Sequence, residues 1–257
     1  MKVIILAGGF GTRISEESVN KPKPMVEIGG KPILWHIMKY YSYYGFNDFV
    51  IALGYKGDYI KDYFRKYASI NSDFSINLKT NKIDILNESN EDFNVTLVDT
   101  GLNSMTGGRL YNLKDFLSEE EEFMLTYGDG VSNVNLNELI SFHKAKGKIA
   151  TLTSVRPSAR FGNIKLDESG NVLSFEEKPQ TEQGWINGGF FIFKKEIFDF
   201  LRSKDEILEK YPLETLAERG ELSAYQHFGF WQCMDTLRDM KFLNNLWNNN
   251  KADWKLW

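Results

Sequence analysis

The chain has 257 residues, a formal net charge of −4 and one cysteine, Cys233. That length fills one large α/β domain without disulfide staples, and a lone cysteine has no internal partner for a bridge. The net acidity argues against a protein that wraps nucleic acid, and no apolar run approaches the roughly 18 residues of a membrane span, so the reading is a soluble cytoplasmic protein.

Residues 2–7 form a continuous apolar run of strand length, as suits a strand covered on both faces. The run is too short for the core of a signal peptide and leads straight into Gly8-Gly9-Phe10-Gly11-Thr12-Arg13, with Lys21-Pro22-Lys23-Pro24 following. Segment 31–44 reads as a helix with Pro32 in its first turn, Ile33, Ile37 and Tyr41 on one face and Gly45 as its stop. A strand over 48–53 and a helix over 58–67 come next. Between 69 and 91 the pattern dissolves into Asn, Ser and short apolar alternations, which predicts an insertion with β-hairpin character or a variable surface loop.

A strand over 94–99, a helix over 107–117, a strand over 122–127, a helix over 135–146 and a strand over 149–155 continue the alternation of βαβ units. The grammar then changes. Segments 163–166 and 172–176 flank Asp167-Glu168-Ser169-Gly170-Asn171 as an antiparallel hairpin, and 187–193 returns to the main sheet. A helix over 213–218 ends at Gly220, a strand covers 222–228, and a helix over 237–247 precedes a polar tail carrying tryptophans. The predicted architecture is a Rossmann-like mixed, mainly parallel sheet flanked by helices, with a smaller antiparallel β insertion, in a single domain over 1–257.

A glycine-rich loop at the carboxyl end of a buried strand is where open α/β sheets place ligands. Gly8, Gly9 and Gly11 let backbone N–H groups approach an anion, Thr12 adds a hydroxyl, and Arg13 and Lys23 supply charge for a triphosphate. The spacing is neither the G-x-G-x-x-G of a dinucleotide turn nor a P-loop, and the plain alternative is a glycine-rich turn with solvated cations. Asp129, in Tyr-Gly-Asp-Gly-Val at a strand end, and Asp235, closing Trp-Gln-Cys-Met-Asp, suffice as the one or two carboxylates magnesium prefers. Asp129 as a turn former and Asp235 as a helix N-cap are the structural alternatives. His36, His143 and His227 lie in helical and strand patterns with no nearby Ser or Cys partner, so hydrolytic triad chemistry is unsupported.

Leu6-Ala7-Gly8-Gly9-Phe10-Gly11-Thr12-Arg13 with the lysine-proline string resembles the signature of the sugar-1-phosphate nucleotidylyltransferases. The likeness runs across nearly the whole chain, through Tyr127-Gly128-Asp129-Gly130, Glu177-Lys178-Pro179 and Asn187-Gly188-Gly189. Ser104-Met105-Thr106-Gly107-Gly108-Arg109 and Trp231-Gln232-Cys233-Met234-Asp235 resemble the cytidylyl branch. The resemblance implies CMP transfer from CTP to α-D-glucose 1-phosphate, giving CDP-glucose and diphosphate for bacterial surface polysaccharide such as O-antigen. It implies Mg²⁺ on Asp129 and Asp235, catalytic roles for Arg13, Lys23 and Asp129, and a nucleotide site of residues 6–13, Lys23, Ser104, Gly107, Arg109 and Gly128. It also implies sugar-phosphate contacts from Gly162, Glu177, Lys178 and Asn187, a nucleotide half over 1–155, a sugar half over 156–235 and a homohexamer. The competing readings are the same reaction with UTP or dTTP, and a catalytically silent nucleotide-sugar binder.

Overall fold

Val3–Leu6 forms β1, and all four of its side chains are buried because the strand lies inside a seven-stranded sheet. Successive side chains of a strand point to opposite faces. Val3 and Ile5 accordingly enter one apolar cluster and Ile4 and Leu6 another, so the strand needs no polar alternation. Burying each such side chain contributes about 1.5–3 kcal/mol. The computed structural model describes residues 1–11, 21–87, 91–157, 163–176 and 184–257.

Among the described residues the sheet order is β14 (Leu222–His227), β10 (Ala150–Val155), β13 (Ile186–Lys194), β8 (Glu122–Tyr127), β1, β4 (Asp48–Leu53) and β7 (Asn94–Asp99). Only β13 runs against its neighbours; the other pairings are parallel. The chain moves outward from β1 through β4 and β7, then returns to β8 on the other side. Strand order therefore reverses beside β1, and a reversal of this kind leaves a crevice outside the carboxyl ends of the strands.

Seven α-helices are described: α1 (Ile33–Tyr43), α2 (Gly57–Arg65), α3 (Tyr67–Asn71), α4 (Thr106–Tyr111), α5 (Leu136–Lys146), α6 (Tyr211–Glu218) and α7 (Leu237–Asn248). Most of α1 is buried against the cluster shared with Val3 and Ile5, while Leu110 of α4 and Leu213 and Leu216 of α6 join the opposite cluster. The expected hairpin in the insertion is present as β5 (Phe74–Asn77) and β6 (Lys82–Ile85). The second expected hairpin is β11 (Asn163–Leu166) with β12 (Val172–Glu176).

Two expectations need correction. Lys31 and Pro32 are not helical but form β3, paired with β2 (Glu27–Ile28). Gly29 and Gly30, at φ +59° and +78°, make the two-residue turn that such a hairpin requires, and glycine adopts it without strain. The helix expected over 107–117 stops at Tyr111, and a separate 3₁₀ turn covers Lys114–Leu117. In the polar carboxyl-terminal tail Trp254 is fully buried and stacks beside Phe230 and Trp247.

Trp254 also fixes a histidine. Its Nε1–H donates to His36 Nδ1 at 3.4 Å, and His36 Nε2 lies 2.8 Å from Ile28 O, which sets the tautomer with the proton on Nε2. Burial pushes the His36 pKa down to about 4. The unfolded chain, with an ordinary value near 6.5, takes up the proton first as pH falls. Stability is therefore intact above about pH 6.5 and is lost between there and about pH 4, by roughly 2 kcal/mol at pH 5. For a chain of this size that is a melting shift of about 4–8 °C between pH 7.5 and 5. The His36→Gln variant is expected to lose that part of the pH slope; an unchanged slope in thermal melts rules the assignment out.

Candidate active site

The crevice beside β1 is a cavity of about 550 Å³, within the range of nucleotide-sized sites. Leu6 to Gly11 form one wall, Asn103 to Thr106 with Arg109 a second, and Tyr127 to Asp129 with Lys23, Pro24 and Asp235 the floor. A smaller hollow of about 400 Å³ lies at the opposite strand ends, lined by Met1, Glu120 to Glu122, Lys194 and Glu196, and has no glycine loop.

Lys23 organises the floor. Its Nζ donates to Asp129 Oδ2 at 2.6 Å and to Asp235 Oδ1 at 2.5 Å. Burial lowers the Lys23 pKa, but the two carboxylates outweigh it and the net direction is upward, so the side chain stays an ammonium. Lys23 begins a 3₁₀ turn, Lys23–Met25, with Pro22 before it and Pro24 inside it, closed by Met25 N donating to Pro22 O at 2.8 Å. The same turn sends Lys21 away from the floor, to Glu27 at 3.1 Å.

Two short strands bring the distant aspartates together. β9 (Gly130–Ser132) pairs with β15 (Trp231–Cys233), Gly130 lies opposite Cys233, and Met234 N donates to Asp129 O at 2.8 Å. Asp235 then sits beside Asp129. It is not the helix cap: Thr236 caps α7, accepting from Asp239 N at 3.2 Å while Asp239 Oδ2 accepts from Thr236 N at 2.8 Å. Asp235 instead meets Lys23 with one carboxylate oxygen, while Cys233 Sγ lies 3.8 Å from the other. Cys233 is no nucleophile here, since burial and then the nearby Asp235 and Asp129 charges push its thiol pKa up to about 12.

Arg109 lines the second wall of the cavity and turns its donors onto the backbone beneath. Its guanidinium is buried and donates to Leu53 O, Gly101 O and Gly8 O at 2.9, 2.9 and 2.8 Å, and to Thr100 Oγ1 at 2.9 Å. It thereby ties the glycine turn to the ends of β4 and β7. The close approach needs Gly8 and Gly54, because a Cβ on either would collide with the guanidinium. Ser104, also in the wall, donates to Thr100 O at 2.5 Å. Gly107 backs onto the 206–208 backbone, where a Cβ would lie 3.0 Å from Glu206 O and from Leu208 N.

A network that sequence reasoning missed joins the cavity walls. Asn187 Nδ2 donates to Tyr127 Oη at 3.2 Å, Tyr127 Oη donates to Glu209 Oε1, and Thr106 Oγ1 donates to Glu209 Oε2 at 2.6 Å. Met105 is the N-cap of α4, and Thr106 Oγ1 also accepts from Leu208 N at 3.0 Å. Nothing in the sequence marks Glu209 as a partner of residues so far away. Trp185 is half-buried rather than core, with Arg156 4.7 Å over its ring and Phe228 edge-on at 5.1 Å. His143 and His227 are bound to Thr151 Oγ1 and Phe230 O, respectively, as structural histidines. Thr12, Arg13, Gly162, Glu177 and Lys178 lie outside the described residues.

The sequence pattern of the nucleotidyl transferase family matches residues 2–236. The chain belongs to that family. This nucleotidyltransferase is 51% identical over 257 residues to a glucose-1-phosphate cytidylyltransferase of Salmonella typhi, covering 100% of both chains. It is 43% identical over 258 residues to a probable glucose-1-phosphate cytidylyltransferase of Bacillus subtilis, again covering 100% of both. Among solved structures it is similar to HddC from Yersinia pseudotuberculosis complexed with GMP-PN, at 25% identity and TM-score 0.69, covering 96% of this chain and 99% of the other.

Nucleotidyltransferases generally use a divalent metal. Among the described residues no three metal-ligating side chains cluster, but Asp129 and Asp235 converge on one point, where Lys23 Nζ stands in for a cation. Two carboxylates, with water and phosphate oxygens completing the shell, fit magnesium. No helix among the described residues is long and apolar enough to cross a membrane.

Proposed function

We propose that this nucleotidyltransferase transfers CMP from CTP to α-D-glucose 1-phosphate, giving CDP-glucose and diphosphate. The observation that carries the reading is the full-length 51% identity to the Salmonella typhi cytidylyltransferase. The convergence of Lys23, Asp129 and Asp235 beside the glycine turn supports it chemically.

The glycine turn, Gly8 to Gly11, binds the triphosphate through backbone N–H groups, with Thr12 and Arg13 continuing the grip. Lys23 lies within reach of the α-phosphate and stabilises the charge that develops as diphosphate leaves. Asp129 and Asp235 hold Mg²⁺, which supplies neutralisation of phosphate charge. Glu177 binds sugar hydroxyls, Lys178 the sugar phosphate, and Gly162 and Asn187 complete that half. The sugar-phosphate oxygen attacks the α-phosphorus in line and inverts it, and positioning with charge neutralisation lowers the barrier. Residues 1–155 form the nucleotide half and 156–235 the sugar half of one domain.

A homohexamer is the assembly we favour by likeness. Exposed Phe74, Ile76, Ile83 and Ile85 support an interface on the β5–β6 hairpin, where Phe74 pairs with Ile85 and Ile76 with Ile83. A lone two-stranded hairpin is marginal in water, so a covered apolar face makes physical sense. A cytoplasmic location and a role in bacterial surface sugars complete the proposal.

Diphosphate release measured with CTP, UTP, dTTP, ATP and GTP, each with glucose 1-phosphate and Mg²⁺, tests the reaction. CTP is expected to give the highest kcat/KM, by at least about tenfold, the equivalent of 1.4 kcal/mol of base discrimination. A preference for UTP or dTTP overturns the cytidylyl assignment. Binding without metal-dependent turnover points instead to a silent nucleotide-sugar binder.

A further inference from the structure

The floor of the cavity poses a problem of charge. Asp129 and Asp235 present two carboxylate oxygens to a single ammonium, at 2.6 and 2.5 Å, in a half-buried setting. Two carboxylates at that separation repel unless a cation stands between them. Lys23 is that cation, and its side chain is only 11% exposed. A magnesium ion holds oxygen ligands at about 2.0–2.1 Å. An ammonium nitrogen a few tenths of an ångström further from the same two oxygens therefore occupies the volume such an ion would need. On those two oxygens the ammonium and the ion exclude one another.

We infer that Lys23 is an internal counter-cation that blocks the aspartate pair from free divalent metal until an anionic nucleotide draws its ammonium away. The inference rests on Asp129 and Asp235 being the metal ligands. Lys23 has somewhere to go, since its side chain lines the same cavity as the glycine turn. A triphosphate seated on that turn offers the ammonium phosphate oxygens in exchange for the two carboxylates. The carboxylates are freed at the moment the nucleotide arrives, so metal enters with the nucleotide rather than before it. Until then the floor remains set by a tethered charge, without the repulsion of two bare carboxylates. Lys23 thus has two successive partners, one before substrate binding and one during the reaction.

The test is Mn²⁺ binding to the full chain without nucleotide, followed by the electron paramagnetic resonance signal of free Mn²⁺. Lys23→Met and Lys23→Gln, two variants so that a folding failure in one leaves the other, are expected to bind Mn²⁺ at least tenfold more tightly than the wild type. Adding Asp129→Asn to either variant should remove the gain. Melting temperature provides a second readout: Mn²⁺ should raise it more in the folded Lys23 variants than in the wild type. Equal or weaker Mn²⁺ binding by the Lys23 variants overturns the inference. The metal assignment is tested separately, in wild type against Asp129→Asn and Asp235→Asn with CTP present. Loss of Mn²⁺ affinity there, with no gain in the Lys23 variants, sinks the blocking role alone; no loss there sinks the metal assignment itself.

Discussion

Asp129→Asn is expected to lower kcat for diphosphate release by about 10²–10³-fold or more, the scale seen when one preorganised charge is removed from a transition state. The substitution keeps the shape of the side chain and removes its charge. Lys23 retains Asp235 at 2.5 Å, and the Asp129 side chain is 31% exposed, so little of the packing depends on it. Partly exposed ion pairs contribute about 1 kcal/mol or less. The melting temperature should therefore move by only a few degrees while turnover collapses. Measuring both on one preparation separates a chemical role from a structural one, and wild-type turnover in the variant would refute the assignment.

The second large effect lies beneath the cavity wall. Arg109→Met is expected to destabilise the fold by about 1.5–3 kcal/mol, the scale of hydrogen bonds made by a charged group. That corresponds to a melting temperature lower by about 3–12 °C. The carbonyls of Gly8, Leu53 and Gly101 would each lose a charged donor, although Gly8 O keeps Tyr55 N at 3.1 Å and Leu53 O keeps Thr100 N at 3.0 Å. Arg109→Lys should recover only part of the loss, because a single ammonium cannot reproduce the planar fork. Because the glycine turn, to which we assign the phosphates, would loosen with the strut, KM for nucleotide should rise in whichever variant remains folded. A melting curve for Arg109→Met that overlies the wild type contradicts the strut.

Strand existence was legible because burial on two faces writes an apolar run, as in β1 and β4, and the βα alternation announced a mainly parallel sheet. The glycine turn and both aspartates stood out in the sequence as residue types, and the structure lines one cavity with them. What joins them was not. β9 and β15 have three residues each, too few for any periodicity to register. Lys31 and Pro32 follow a hairpin turn that a helical reading overran. Arg109 carried a charge that sequence reasoning pointed toward ligand, whereas its donors are taken by backbone carbonyls, a use with no signature in composition. Glu209 links Tyr127 and Thr106 across the fold and lies in an unremarked stretch.

Lys23 and Asp235 stand 212 positions apart in the chain, yet one ammonium holds them together. A nucleotide that takes hold of this floor grasps both ends of the polypeptide at once and so binds only where the whole sheet has formed. Saturating substrate should then guard the entire domain against proteases and heat, not its first half alone. At a hundred times the dissociation constant, that protection amounts to about 2.7 kcal/mol.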